Sequence, residues 1–143
     1  MSDDLSQVFV DTNVLVYAYD KSAGHKRERA RVLLDQIWAA HCGCVSVQVL
    51  QEFYVAATQK VKRPLAQETV VGIIRDLVFW RVHAPVAEDI LGAIDLQRRH
   101  KIFFWDAMII WSASQLGCSL IWSEDLSTGR SYDGVLVKDP FLS

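Results

Sequence analysis

Gln7-Val8-Phe9-Val10-Asp11-Thr12-Asn13 is the stretch on which the fold turns, because a short apolar run ends there directly on an acid. A run of that length, bounded by polar turn residues, reads as a buried strand. In open parallel sheets ligands collect beyond the carboxyl ends of the strands, so an acid in the first position after such a strand stands where chemistry is done. Outward from it the same short runs recur. Gly43-Cys44-Val45, Trp80-Arg81-Val82-His83, Ser119-Leu120-Ile121-Trp122 and Gly134-Val135-Leu136-Val137 read as four further strands.

Helical periodicity fills the intervals. From His25 to His41, the residues Ala30, Leu33, Leu34, Ile37 and Trp38 share one side while Lys26, Arg27, Arg29, Arg31 and Asp35 share the other. Val14 to Tyr19 is helical. Ser46 caps a helix running to about Lys60, which Lys62-Arg63-Pro64 breaks. Further helices are predicted over Ala66–Val78, Val86–His100 and Asp106–Leu116, the last stopped by Gly117. Strands alternating with helices predict an α/β fold, a three-layer α/β/α sandwich around a five-stranded parallel sheet. The 143 residues match one domain, 1–143, with one core and no linker.

Composition narrows the classes of function. Hydrophobic residues make up 51% and charged residues 22%, too apolar for a disordered chain. No apolar run reaches the roughly 18 to 20 residues that cross a bilayer. Met1-Ser2-Asp3-Asp4 is acidic and lacks the pattern of a secretory signal, so a cytoplasmic location is expected. Cys42, Cys44 and Cys118 are odd in number and lack CxxC spacing, and they read as reduced core residues. The net charge is −2, but setting four candidate ligands aside leaves 13 acids against 15 Lys and Arg. The remaining surface is mildly basic, which suits transient contact with phosphates.

Four acids stand out. Asp11 and Asp125 follow the first and fourth strands. Glu52 lies along the apolar side of its helix, three residues after Val49, and Asp106 precedes Ile109, Ile110 and Ala113 at helical spacing. Taken singly, Asp106 reads equally well as a helix N-cap and Glu52 as the partner of an arginine. Together at one edge they repel one another and raise one another's pKa values unless a cation sits among them. A set of hard oxygen donors, without His or Cys, selects Mg²⁺ or Mn²⁺. Thr12, Asn13 and Ser123 are candidates for supporting hydrogen bonds, with Asn13 holding the turn that aims Asp11. His25, His41, His83 and His100 are scattered and read as surface or core residues.

Val10-Asp11-Thr12-Asn13-Val14-Leu15, Val49-Leu50-Gln51-Glu52-Phe53-Tyr54, Trp105-Asp106-Ala107-Met108-Ile109-Ile110 and Ser123-Glu124-Asp125-Leu126 resemble, in order, the four acidic motifs of PIN-domain nucleases. The likeness runs from about Gln7 to Pro140 and is greatest to the VapC-like toxins of prokaryotic toxin–antitoxin systems. It implies a Mg²⁺- or Mn²⁺-dependent endoribonuclease that forms a homodimer and is inhibited by a cognate antitoxin. By position, Asp11 and Asp106 would be metal ligands, with Glu52 and Asp125 completing the catalytic set directly or through water. Glu124 is an extra carboxylate beside the last of these. One or two ions would lower the pKa of a water and stabilise charge developing on the phosphate.

Lys60, Lys62 and Arg63 after the Glu52 helix, and Arg98, Arg99 and Lys101 before Asp106, are candidates for contacting RNA. Phe104 and Trp105 are candidates for stacking on a base. Leu65, Val70, Ile73, Tyr17 and Tyr19 would offer a groove for an antitoxin helix, whose arginine would enter the acidic pocket. The alternatives are a housekeeping PIN-type RNA-processing nuclease without an antitoxin, an inactive binding module, and an Asp-dependent phosphatase or phosphoacceptor domain. A phosphatase of the haloacid dehalogenase type needs a second Asp where Asn13 stands. A phosphoacceptor domain fits Lys138 but has no use for Glu52 and Asp106.

Overall fold

A computed structural model describes residues 6–142, so the Met1–Asp4 start lies outside the described residues. The elements, in order, are β1 (Val8–Val10), α1 (Thr12–Tyr19), α2 (His25–Ala40), β2 (Gly43–Ser46), α3 (Val47–Val55), α4 (Gln67–Leu77), β3 (Arg81–His83), α5 (Ala87–His100), α6 (Phe104–Gln115), β4 (Leu120–Trp122), β5 (Ser131–Tyr132) and β6 (Val135–Lys138). The last turn of the α3 helix, Ala56–Lys60, is wound more loosely as a π-helix.

The sheet order is β3-β2-β1-β4-β6-β5. Five strands are parallel, as expected, and the expectation needs one correction. A sixth strand, β5, pairs antiparallel to β6 through Ser131↔Leu136 and Tyr132↔Val135. It is two residues long, the return arm of a hairpin turned by Asp133 (φ +51°) and Gly134 (φ +89°).

Topology fixes the layers. The chain moves outward from β1 through β2 to β3, then jumps back across to β4 on the other side of β1. Right-handed crossovers therefore put the helices before β3 on one face and α5 and α6 on the other. Packing agrees. α1 lies against α2 and α3, while α5 lies against α6, which spans β2, β3, β4 and β6. Helix α6 buries Ala107, Met108, Ile109, Ile110 and Ala113 between the sheet and α5.

Cys42, Cys44 and Cys118 are buried and free. Among the described residues no helix is long and apolar enough to cross a membrane.

Candidate active site

The jump from β3 back to β4 makes the β1–β4 seam the switch point of the sheet, and the loops leaving these two strands diverge there. Asp11 is the first residue after β1, its amide bonded to the Trp122 carbonyl (3.0 Å), and Ser123 is the first residue after β4. α3 starts where β2 ends, and α6 runs back against the strands, so the first turns of both helices lie at this same edge. Asp106 arrives there in the first turn of α6, and Glu52 one turn further along α3.

Asp11 is 7% exposed and is the N-cap of α1. Its Oδ1 accepts from the Thr12 amide (2.8 Å). Its Oδ2 accepts from Ser123 Oγ (2.8 Å) and Asn13 Nδ2 (3.3 Å). Burial dominates its ionisation and pushes the pKa up to about 6. The Ser123 and Thr12 hydrogen bonds oppose that rise, and the nearby Glu52 and Asp125 charges add to it.

Ser123 is buried and organises the loop after β4, its Oγ accepting from the amides of Asp125 and Leu126 (both 3.2 Å). Asn13 was expected to hold its own turn, and instead it staples two loops together. Its Oδ1 accepts from the Glu124 amide (2.9 Å), and its Nδ2 shares two hydrogens among Asp11, Ser123 (3.3 Å) and Asp125 (3.2 Å).

Glu52 does not pair with an arginine. Its Oε1 accepts from Thr12 Oγ1 (2.8 Å) and its Oε2 from Gln48 Nε2 (3.1 Å). Nor does its side chain face inward as its spacing suggested: Glu52 and Asp125 are exposed, Asp106 is half-buried, and only Asp11 is buried. The helix side at position 52 borders an open cleft above the sheet edge and not the core. Asp106 is not the helix cap, since Phe103 holds that position and Asp106 lies within the first turn. Burial, then Asp125 and Glu52, hold its pKa above the ordinary carboxylate value.

Glu124 is accounted for separately. It pairs with Lys26 and accepts from Tyr17 Oη (2.8 Å), and these partners hold its pKa low. Among the described residues no histidine bonds Asp11, Glu52, Asp106 or Asp125. His83 Nδ1 bonds Ser112 Oγ (2.7 Å) and His100 Nε2 lies 3.1 Å from Asp133.

Two clefts meet at Asp125. One, of about 480 Å³, is bordered by Thr12, Asn13, Glu52 and Lys60. The other, of about 430 Å³, is bordered by Lys101, Phe103, Asp106 and Arg130. Arg99, expected to face RNA, instead grips Asp133 with two bonds (2.9 and 2.7 Å) and Asp95 with a third (2.9 Å). The expected helix groove also differs. Val70 is core, Tyr17, Tyr19, Leu65 and Ile73 are half-buried against the core, and the open apolar groove is lined by Leu50, Tyr54, Val55 and Ile74.

Gln48, Phe103 and Arg130 were not singled out in the sequence. Gln48 carried a signal, four residues before Glu52 on the same helix face. Arg130 carried none, because its place depends on the β5 hairpin.

Among the described residues none of the four acids forms an ion pair. The donor set fits a hard divalent cation, and the mutual repulsion of the carboxylates calls for one. Among the described residues no three His, Cys, Asp or Glu side chains converge closely enough to ligate an ion together. An ion here would take one or two carboxylates and water, as Mg²⁺ does.

The family model of the PIN domain matches residues 8–129, and the chain belongs to that family. Among curated proteins none matches. Among solved structures it is similar to the sarcin–ricin-loop-cleaving toxin VapC20 of Mycobacterium tuberculosis, with 19% identity over 83% of this chain and 92% of that one and a TM-score of 0.64. It is similar also to a toxin–antitoxin complex from Klebsiella pneumoniae (18%, 95% of this chain and 98% of that, TM-score 0.66). A third likeness is to the DNA-bound VapBC of Salmonella typhimurium (18%, 95% and 99%, TM-score 0.62). At these identities the likeness establishes the fold.

Proposed function

We propose that this chain is a divalent-metal-dependent endoribonuclease, the toxin of a type II toxin–antitoxin pair acting in the cytoplasm. The observation that carries the reading is Asp11, a buried carboxylate at the switch point that feels the charges of Glu52 and Asp125, with, among the described residues, no ion-paired cation on any of them. Membership of the PIN family supports nuclease chemistry, and the toxin likenesses support an antitoxin as partner; a homodimer is proposed as the working form from the sequence resemblance alone.

Asp11 and Asp106 would hold the ion, Mg²⁺ or Mn²⁺, with Glu52 and Asp125 acting directly or through water. Held there, such an ion would supply positive charge against the phosphate oxygens and would lower the pKa of a water. The rest falls to side chains. Ser123 and Thr12 favour the ionised form of Asp11 against the rise that burial imposes. Asn13 fixes the spacing of Asp11 and Asp125. Thr12 and Gln48 orient Glu52 at the cleft, each holding one of its oxygens. The clefts on either side of Asp125 leave room for a strand to pass over the acids, with Lys60 bordering one and Lys101 and Arg130 the other.

The test is cleavage of RNA with Mg²⁺ or Mn²⁺ against an EDTA control, repeated with Asp11→Asn and Asp106→Asn. Both variants are expected to lose cleavage while their circular dichroism stays native. Metal-independent cleavage, or a variant within about tenfold of wild type, overturns the assignment.

A further inference from the structure

Phe103 is 80% exposed and is absent from the residues packed on the core. It occupies the N-cap of α6, where Ser, Thr, Asp or Asn would satisfy an open helix amide and Phe satisfies none. Neither packing nor capping accounts for the ring. Its neighbours are accounted for: Phe104 packs on the core, and Trp105 lies edge-on to Phe104 with ring centres 5.0 Å apart.

Phe103 borders the same cleft as Asp106, Asp125, Lys101 and Arg130. Arg130 is held in place there without a carboxylate partner among the described residues. Its guanidinium lies 4.7 Å from the centre of the Tyr132 ring and donates to the His100 carbonyl (3.4 Å). The hairpin that carries it is clamped to α5 by the two bonds from Arg99 to Asp133. Lys101, exposed and likewise without an ion pair among the described residues, ends α5 in the left-handed conformation (φ +55°).

An exposed ring next to two unpaired cations matches a nucleotide, which offers a π-face and a phosphate together. A base inside a duplex is already stacked, so the match is to a single strand. The cations also offset the repulsion that the four carboxylates exert on a phosphate backbone. Building on the nuclease reading, we propose that this cleft receives single-stranded RNA to one side of the cut phosphate, with Phe103 stacking on a base and Lys101 and Arg130 holding the adjoining phosphate.

The test uses the full chain with Phe103→Ala, Phe103→Trp and Arg130→Ala. Kd is read by anisotropy with a fluorescent, unstructured RNA of mixed sequence, and KM and kcat are read from cleavage in Mg²⁺. Phe103→Ala is expected to raise Kd and KM about tenfold or more with kcat little changed, and Phe103→Trp to restore both. Arg130→Ala is expected to weaken binding and flatten the slope of log Kd against log salt by about 0.7, the loss of one phosphate contact on a single strand. Melting temperature and solution mass should not move.

Kd and KM for Phe103→Ala within about twofold of wild type would overturn the proposal. So would a fall in solution mass, which assigns the ring to a contact between copies, or lost capture of a protein partner with RNA binding intact. A wild type that binds RNA through Phe103 but cuts nothing supports this cleft and refutes the nuclease. Cleavage that ignores Phe103 does the reverse.

Discussion

Ser123 Oγ donates to Asp11 Oδ2 across 2.8 Å, joining the first residues beyond two neighbouring parallel strands. The same oxygen accepts from the amides of Asp125 and Leu126, so one hydroxyl both favours the ionised form of Asp11 against its burial and fixes the path of the loop carrying Asp125. Ser123→Ala is expected to lower cleavage about ten- to a hundredfold, as loss of a residue supporting a ligand does, with native circular dichroism. Activity within about threefold of wild type would show that the Thr12 amide and Asn13 suffice to hold Asp11.

Without metal, Asp11 makes stability depend on pH in an unusual direction. A carboxyl whose folded pKa is raised keeps its proton longer in the folded chain, so its ionisation opposes folding. The cost is absent below the ordinary 3.8, grows as pH rises towards about 6, and is complete above that. It amounts to about 3 kcal/mol at full ionisation, by the conversion of a pKa difference into free energy. Melts in EDTA should therefore show wild type losing stability between pH 4 and pH 6.5 relative to Asp11→Asn, in which that dependence is removed. Asp133, held low at about 2 by Arg99, acts in the opposite sense, stabilising above the ordinary 3.8 and losing that contribution only as pH falls towards 2. The two windows do not overlap. Parallel melting curves for wild type and Asp11→Asn across pH 4 to 6.5 would refute the assignment.

Adding Mg²⁺ or Mn²⁺ should close most of the gap between the same two proteins. A ligand at a hundredfold excess over Kd stabilises the folded state by about 2.7 kcal/mol. Wild type should gain on that scale at pH 7.5 and Asp11→Asn much less. Equal gains in both would place the ion elsewhere.

Gln48 links two helices at the site, donating to Glu52 (3.1 Å) and to the Trp105 carbonyl (3.4 Å). Gln48→Ala frees one side of Glu52 and is expected to cost roughly ten- to a hundredfold in kcat, with melting temperature nearly unchanged because the residue is largely at the surface. The double variant with Glu52→Gln should be no worse than Glu52→Gln alone. An additive loss would mean that Gln48 acts independently of Glu52.

Two helix glycines should respond with opposite signs to one substitution. A Cβ at Gly92 in α5 would meet the Trp111 ring at 2.3 Å, whereas a Cβ at Gly72 in α4 would meet nothing within 4 Å. Gly72→Ala should stabilise by about 0.5–1 kcal/mol through helix propensity. Gly92→Ala should destabilise by about 1–3 kcal/mol through overpacking, despite the same propensity gain. Denaturant melts of the two variants decide it, and a stabilised Gly92→Ala would mean that Trp111 gives way freely.

The frame was legible because it rests on local pattern. Phe9 and Val10 between polar neighbours make a strand whatever surrounds them, and Ser46 caps α3 through the Val49 amide as its position suggested. The features that were not legible depend on neighbours far along the chain. Ser131 and Tyr132 form a strand only because β6 lies beside them, two residues being too few for any periodicity. The α6 start at Phe104 has no polar cap to mark it, so the sequence suggested Asp106 instead. Asn13 looked like a turn residue, and its bonds to Ser123, Glu124 and Asp125 span more than a hundred positions. Burial at the site was misjudged for a related reason. Spacing reports which helix face a residue occupies, but not whether that face looks into a core or a cleft.

Asp11 begins α1 with one oxygen and accepts from Ser123 and Asn13 with the other, so helix start and site order draw on a single side chain. This constrains how such a chain can lose its activity through drift. Ala at position 11 would silence the site but also strip the helix of its cap, a loss of typically ~1 kcal/mol. Asn would silence it and keep the cap while relieving the buried charge. Descendants that have abandoned cleavage should therefore carry Asn or Ser at this position far more often than Ala, and a polar residue surviving there is no sign of an enzyme still at work.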